Sequence, residues 1–293
     1  MSTQQRTIAI FGGDHRQAYA VRAFLRAGWE VRQFEVPDLP GVETGELCET
    51  LAAAIDGADV ILGPVPFRDF APADELAAYI NTTQIFIAGM LPEDLLEEFE
   101  RAGIEHYDLL ERDDFSILNA ISTAEGAIAE AIIAGGGNLH LCPALVLGYG
   151  RCARPLVKKL QGMQAHVTVA ARRWEAACAA IADGCEVLDF TALPYHLPHF
   201  AYIFNTVPAM ILDETALQGV SPEAVIIDIA TDPGGTDFEA AEELRLNAKI
   251  CPSLPGKYAP RSTGESIAQV ARILLEEREE SAWGWNKPAP ASD

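Results

Sequence analysis

An α/β protein of two doubly wound parallel-sheet domains is what the sequence predicts, on three observations. Short apolar runs alternate with stretches of helical periodicity along the whole chain. A glycine-rich strand-to-helix turn lies near the middle, at Gly148, and a run Gly135-Gly136-Gly137 separates two alternating series. Alternation of this kind builds right-handed βαβ units and therefore parallel sheets. The 293 residues are 49% hydrophobic, enough for a substantial core and long for one average domain.

Taken in order, Thr7 to Phe11 reads as a strand ending at Gly12-Gly13, His15 to Ala27 as a helix, and Trp29 to Phe34 as a strand. Strands follow at Asp59 to Val65, Gln84 to Ala88 and Glu105 to Leu110, with helices at Glu46 to Ile55 and Glu93 to Ala102. Ser122 to Ala134 reads as a helix capped by Thr123 and stopped by the three glycines, where a hinge is expected. The second series comprises strands at Ala144 to Leu147, His166 to Ala170, Glu186 to Phe190, Ala201 to Asn205, Val225 to Ile229 and Lys249 to Pro252. Its helices are Arg151 to Leu160, Trp174 to Ala182 and Phe238 to Leu246. A last helix from Thr263 to about Glu280 has an apolar face at Ile267, Val270, Ala271, Leu274 and Leu275, expected to pack back on the first domain. After Trp283 the chain should fray. The expected domains are 1–121 joined by the C-terminal helix 263–293, flavodoxin- or Rossmann-like and substrate-binding, and 122–262, a nucleotide-binding Rossmann domain.

Charge narrows the function. Lys and Arg number 21 against 43 Asp and Glu, a formal charge of −22 that repels nucleic-acid phosphates and anionic lipid. No apolar run is read as long enough to span a bilayer, and Met1 to Arg6 is polar where a signal peptide turns apolar, so a cytoplasmic protein is expected. Cys48, Cys142, Cys152, Cys178, Cys185 and Cys251 form no C-x-x-C pair, so neither a metal site nor a disulfide framework is expected.

Ala144-Leu145-Val146-Leu147-Gly148-Tyr149-Gly150-Arg151-Cys152-Ala153 is a strand running into G-x-G-x-x-A and a helix, the dinucleotide pattern of a Rossmann NAD(P)-binding domain. Gly148 permits the turn, Gly150 lets the backbone approach a pyrophosphate, and Ala153 allows close helix packing. The helix N-terminus then offers N–H groups to phosphate. Where an NAD site places an acidic residue, this chain has Ala171-Arg172-Arg173, which favours a 2′-phosphate and so NADP(H). Asn205, Thr206 and Val207, and the segment containing Asp228 and Ala230, fall at strand ends that face the same crevice. Local turn chemistry is the alternative for Asn205, Thr206 and Asp228.

Six segments together resemble the family of dipicolinate synthase A chains. They are Gly12-Gly13-Asp14-His15-Arg16-Gln17, Leu110-Glu111-Arg112-Asp113-Asp114, Thr123-Ala124-Glu125-Gly126, the Gly148 turn, Asp232-Pro233-Gly234-Gly235-Thr236-Asp237-Phe238, and Leu254-Pro255-Gly256 through Ala259-Pro260. Ser122 departs from that pattern, which has proline before Thr123. The resemblance implies a sporulation enzyme on the diaminopimelate branch of lysine synthesis. Such an enzyme oxidises dihydrodipicolinate, or 4-hydroxytetrahydrodipicolinate, to dipicolinate with NADP. It also implies the cytoplasm of the mother cell and, as partner, the flavoprotein-like B chain of the same synthase; a homo-oligomer stays open.

A planar dicarboxylate needs two anion sites. The Gly12-Gly13 turn with Asp14 and Arg16 is the candidate for one; Arg112, Ser122, Thr123, Lys257 and Arg261 are candidates for the other. For Arg112 a surface ion pair is the alternative, whereas Arg261 precedes the last helix where it could close a cleft. Glu125 and His15 are the candidates for proton transfer, with a capping box from Ser122 as the alternative for Glu125. Two rival functions are an alanine-dehydrogenase-like oxidoreductase acting on an open-chain amino or hydroxy acid, and a non-catalytic NADP-binding member of a two-protein complex.

Overall fold

The computed structural model describes residues 6–67 and 73–282. The chain divides into two compact units: one runs to Ser116 and resumes at Pro260, the other is Ile117–Ala259.

In the first unit, β1 (Thr7–Phe11), β2 (Glu30–Phe34), β3 (Glu46–Leu47), β4 (Val60–Leu62), β5 (Ile85–Ala88) and β6 (Glu105–Asp108) form a sheet in the order β3-β2-β1-β4-β5-β6. All the pairings are parallel. Helices α1 (His15–Arg26), α2 (Leu51–Ile55), α3 (Ala73–Tyr79) and α4 (Glu93–Ala102) make the crossovers. Ile8, Ala9, Ile10 and Phe11 are fully buried, which is why β1 is a continuous apolar run instead of an alternating one. Phe11, Phe67, Phe86 and Phe99 pack edge-on in the core, with Phe86 and Phe99 centroids 5.0 Å apart.

Helix α5 (Asp113–Gly135) enters the second unit, whose strands are β7 (Pro143–Leu147), β8 (His166–Ala170), β9 (Glu186–Leu188), β10 (Tyr202–Asn205), β11 (Val225–Asp228) and β12 (Asn247–Ile250). They form a second parallel sheet, ordered β12-β11-β10-β7-β8-β9. Its helices are α6 (Ala153–Gly162), α7 (Trp174–Ala182), α8 (Leu193–His196), α9 (Glu214–Leu217), α10 (Phe238–Glu243) and α11 (Leu254–Tyr258). Both sheets are doubly wound α/β, with the strand order reversing beside β1 in one and β7 in the other.

Helix α12 (Pro260–Ala282) closes the first unit. It buries Ile267, Val270, Ala271, Leu274 and Leu275. It lies so close to α1 that a Cβ at Gly264 would collide with the Arg16 carbonyl oxygen and come within 2.7 Å of the Tyr19 Cβ. Arg22 to Glu265 (2.7 Å) and Arg278 to Glu105 (2.8 Å) tie its polar edge to α1 and β6. The tail expected to fray after Trp283 lies outside the described residues.

Three expectations are corrected. Glu46 to Ile55 is not one helix: Glu46 and Leu47 pair with β2 as an edge strand, and Thr50 caps α2 by accepting from the Ala53 N–H at 3.1 Å. Helix α5 starts at Asp113 instead of Ser122, because two aspartates in its first turn complement the helix dipole and no glycine or proline intervenes before Gly126. Thr123 is therefore mid-helix and caps nothing; its hydroxyl donates to the Asn119 carbonyl at 3.0 Å. The boundary between units falls within α5, between Ser116 and Ile117, shortly before the 121/122 division the sequence suggested and well before the glycine run where a hinge is expected. There Gly136, at φ 60, ends the helix, and a Cβ at Gly135 would come within 2.6 Å of the Tyr202 hydroxyl.

Helix α5 is also longer and more apolar than the sequence suggested, enough to cross a membrane by those two criteria. Ala120, Ala124, Ala127 and Ala131 are nonetheless packed inside protein. It is held to its own unit by Glu130, 2% exposed, whose carboxylate accepts from Lys249 of β12 and from Lys257 and Tyr258 of α11. Burial pushes the Glu130 pKa up, but hydrogen bonds from those three groups outweigh it and hold the carboxyl at about 2. A depressed carboxyl pKa contributes stability above the ordinary value of 4.5 that is lost as pH falls toward 2. Glu130→Gln should therefore lower the denaturation midpoint at pH 7, and the gap from the unmodified protein should close through that acid range in urea melts at stepped pH.

Candidate functional site

At the carboxyl end of β7 the chain turns through Gly148-Tyr149-Gly150-Arg151-Cys152 into α6. Gly148 adopts φ 90, and a Cβ there would meet Thr206 Oγ1 and Val207 Cγ2, each at 2.8 Å. The requirement for glycine at 148 is thus internal to the fold. Gly150 differs: a Cβ built on it meets nothing within 4 Å, so the space beside this backbone is open. Ala153 is fully buried, as close helix packing demands. Cys152 stands at the N-cap of α6 without a side-chain capping bond, and burial raises its thiol pKa. Arg151 is exposed beside it.

Tyr149 is a correction. Expected to face a cofactor, it is 5% exposed and turned into the protein, where its hydroxyl donates to Asp183 and Arg154 lies 5.5 Å from its ring centroid. Burial, reinforced by the Asp183 hydrogen bond, raises its pKa. Its side chain anchors the loop from below.

At the end of β8, Ala171 is 5% exposed, and its N–H is used by the Leu188 carbonyl at 3.1 Å. Arg172 and Arg173 are exposed, and neither guanidinium has a hydrogen-bond or ion-pair partner among the described residues. That contrasts with Arg16, Arg22, Arg112 and Arg278, each of which holds a carboxylate.

At the ends of β10 and β11 the side chains make the local turn bonds that were the alternative to ligand contact. Asn205 is fully buried and exchanges hydrogen bonds with Val207, amide to carbonyl and back, each 3.1 Å. The Thr206 hydroxyl donates to the Leu147 carbonyl at 2.7 Å. Asp228, also fully buried, accepts from the N–H groups of Ala230 (3.0 Å) and Gly235 (3.1 Å) and from the Thr236 hydroxyl (2.8 Å). Each side chain is spent on shaping a strand-end turn.

In the first unit, Gly13 takes φ 80 above Gln17, and Asp14 caps α1 by accepting from the Arg16 N–H at 2.9 Å. The Arg16 guanidinium then turns back onto the same carboxylate, Nε at 2.8 Å and Nη2 at 2.8 Å. Burial pushes Asp14 up, but Arg16 outweighs it and lowers the pKa. The cation assigned to a substrate carboxylate is therefore already neutralised, and the helix N-terminus already holds an anion. His15 beside it is exposed.

The other substrate candidates are distributed similarly. Arg112 pairs with Asp114 (2.7 Å) and Glu277 (3.1 Å), which corrects the expectation of a free anion-binding group. Ser122 is 5% exposed within α5, and Lys257 belongs to the Glu130 cluster. Arg261 is 65% exposed and makes an i,i+4 pair with Glu265 at 3.2 Å. Glu125, expected either to cap or to move a proton, is mid-helix and paired with Lys159 at 2.7 Å, so the capping box does not form. No group of histidine, cysteine and carboxylate is arranged to hold a metal among the described residues.

Residues 7–110 match the family model of the N-terminal domain of the dipicolinate synthase A chain. The sequence is 38% identical over 170 residues to the dipicolinate synthase A chain of Bacillus subtilis (strain 168). Over these stretches the chain is similar to the dipicolinate synthase A chain. The sequence match spans 58% of this chain and 57% of the relative, little more than half of its length. Among solved structures, the dipicolinate synthase A chain from Bacillus halodurans is similar at TM-score 0.82 and 26% identity, over 92% of this chain and 97% of that one. The dipicolinate synthase A chain from Bacillus subtilis gives 0.81 and 28%, over 95% and 98%.

Two residues escaped the sequence argument. Gln17, 1% exposed, donates to the Gly63 carbonyl at 2.7 Å and ties the β1 turn to the end of β4; a glutamine on a helix carries no signal of that task. Thr236, 5% exposed, braces Asp228, and its signal was the Pro233-Gly234-Gly235 turn preceding it. The two glycines of the β7 turn should separate experimentally. Gly148→Ala should lower the thermal midpoint through strain and overlap, whereas Gly150→Ala should leave it unchanged, as differential scanning calorimetry would show.

Proposed function

We propose that this protein is an NADP-dependent oxidoreductase, a dipicolinate synthase A chain that forms dipicolinate from dihydrodipicolinate or its hydrate 4-hydroxytetrahydrodipicolinate. The observation that carries the reading is the pairing of an unobstructed backbone at Gly150, in the G-x-G-x-x-A turn, with two guanidinium groups at the next strand end that lack partners among the described residues, in a chain similar to that synthase. The residues present fit a dinucleotide. Gly150 and the N-terminus of α6, with Arg151 and Cys152, would take the pyrophosphate; Arg172 and Arg173 would take the 2′-phosphate. Ala171, Val207 and Ala230 would line the strand ends beside the dinucleotide, their N–H groups being already bonded within the fold.

From the hydrate the balance is loss of one water, then loss of a hydride from ring carbon and of one proton as the pyridine ring forms. The bound nicotinamide supplies the hydride acceptor. The chain's share is to orient the ring, exclude water and accept the proton. Among the cations considered for a substrate carboxylate, Arg261 is the one whose side chain stays most exposed. Its solvent-exposed pair with Glu265 is worth only about 0.3–0.5 kcal/mol, so exchange for a dicarboxylate costs little. Arg16 would act there only by sharing its guanidinium between Asp14 and substrate. His15, exposed beside Arg16, and Glu125, in a solvent-exposed pair with Lys159, are the two candidate proton acceptors. A cytoplasmic location, a role in sporulation and a flavoprotein-like B chain as partner belong to the same proposal.

Arg172→Asp combined with Arg173→Ser should weaken NADPH binding at least tenfold more than NADH binding in calorimetric titrations; equal losses would remove the 2′-phosphate assignment. The activity itself is tested with the purified protein, NADP and freshly generated 4-hydroxytetrahydrodipicolinate, with and without the B chain. NADPH and dipicolinate appearing together without the partner establish the dehydrogenase. Turnover only with the partner makes the catalytic unit the complex, and turnover of open-chain amino or hydroxy acids instead would overturn the assignment.

A further inference from the structure

The tryptophan that opens α7 stands directly after the two partnerless arginines. Trp174 is 76% exposed, an indole left in solvent at the carboxyl end of β8. Single exposed apolar residues are ordinary, so exposure alone decides nothing. Its setting does. β8 is hydrogen-bonded to β7, the strand that delivers the Gly148 turn, so the β8 end is the next position along the carboxyl edge of the sheet. A dinucleotide whose pyrophosphate sits over Gly150 must send one nucleoside toward β8 and the other toward β10. On the β10 and β11 side the polar side chains Asn205 and Asp228 are fully buried and used internally. On the β8 side three consecutive side chains, Arg172, Arg173 and Trp174, are exposed, and the two cations lack partners among the described residues in a chain of 43 carboxylates.

Resting on the NADP reading above, we propose that Trp174 is the purine-stacking residue of this site, its indole face receiving the adenine whose ribose phosphate the arginines hold. The division of labour is chemical. Guanidinium groups recognise the phosphate charge, and a large π-face recognises a flat base irrespective of its substituents. Base stacking on an aromatic side chain is strong enough to change affinity by about tenfold. Because α7 starts at Trp174 and Arg173 is its N-cap, the backbone holds base site and phosphate site in adjacent positions.

Adenosine 2′,5′-bisphosphate and 5′-ADP are the probes, titrated calorimetrically into the protein and its variants. Trp174→Ala should weaken both ligands by about tenfold, Trp174→Phe should restore most of the loss, and the arginine double variant should weaken the bisphosphate alone. Trp174 fluorescence should be quenched by either ligand, a response absent from Trp174→Phe. Unchanged affinity of Trp174→Ala for a bisphosphate that the unmodified protein binds would overturn the stacking role and leave the NADP reading standing. Failure of the unmodified protein to bind the bisphosphate would overturn both.

Discussion

Strands covered by helices on both faces have no room for polar side chains along their length. That constraint organises both units. β1 and β7 are buried almost throughout, and the polar groups near them begin where the strands stop, at Asp14 and Gly148. Parallel strands all end on one edge, so the groups able to meet a ligand gather there without any residue having been selected to bring them together. The cost is that each strand end must also be turned and its backbone satisfied. Asn205, Thr206 and Asp228 do that work, which is why side chains suited to ligand contact prove to be committed elsewhere.

Electrostatics follows a similar rule of commitment. With acidic residues outnumbering basic ones by two to one, a cation ordinarily finds a carboxylate. Arg16 turns back on its own helix cap, Arg112 bridges Asp114 and Glu277, and Lys249 and Lys257 share Glu130. Lys158, Arg245 and Arg272 also lack an ion-pair partner among the described residues, so what sets Arg172 and Arg173 apart is their place together at the end of β8, beside the strand that carries the glycine turn. Trp174 gains its meaning from the same neighbourhood.

The corrections share a cause. The helical pattern around Ser122 and Thr123 marked a real helix, but capping residues occur inside helices as well as at their starts, and only the Thr123 bond to Asn119 tells the two apart. Glu46 and Leu47 continue an apparently helical stretch, yet β2 offers an open edge, and pairing with it outweighs local preference. Gly126 and Gly264 look like helix breakers and are instead clearances. One faces Leu254, with a Cβ-to-Cβ approach of 2.8 Å were it alanine; the other faces α1.

Local chemistry determined the elements themselves: apolar runs long enough only for strands, helices between them, and a glycine turn whose flanking strand and helix made a dinucleotide fold legible before any coordinate. The family resemblance was legible too, because it rests on the order of short motifs. Tertiary structure decided which of those residues remain available. Whether Tyr149 faces out or down to Asp183, and whether a Cβ at position 148 or 150 would meet protein, depend on atoms remote in sequence, and the return of Arg16 to Asp14 is a local bond that shows only in the folded chain. Sequence records what a side chain is able to bond; the packed chain settles how much of that capacity has already been used.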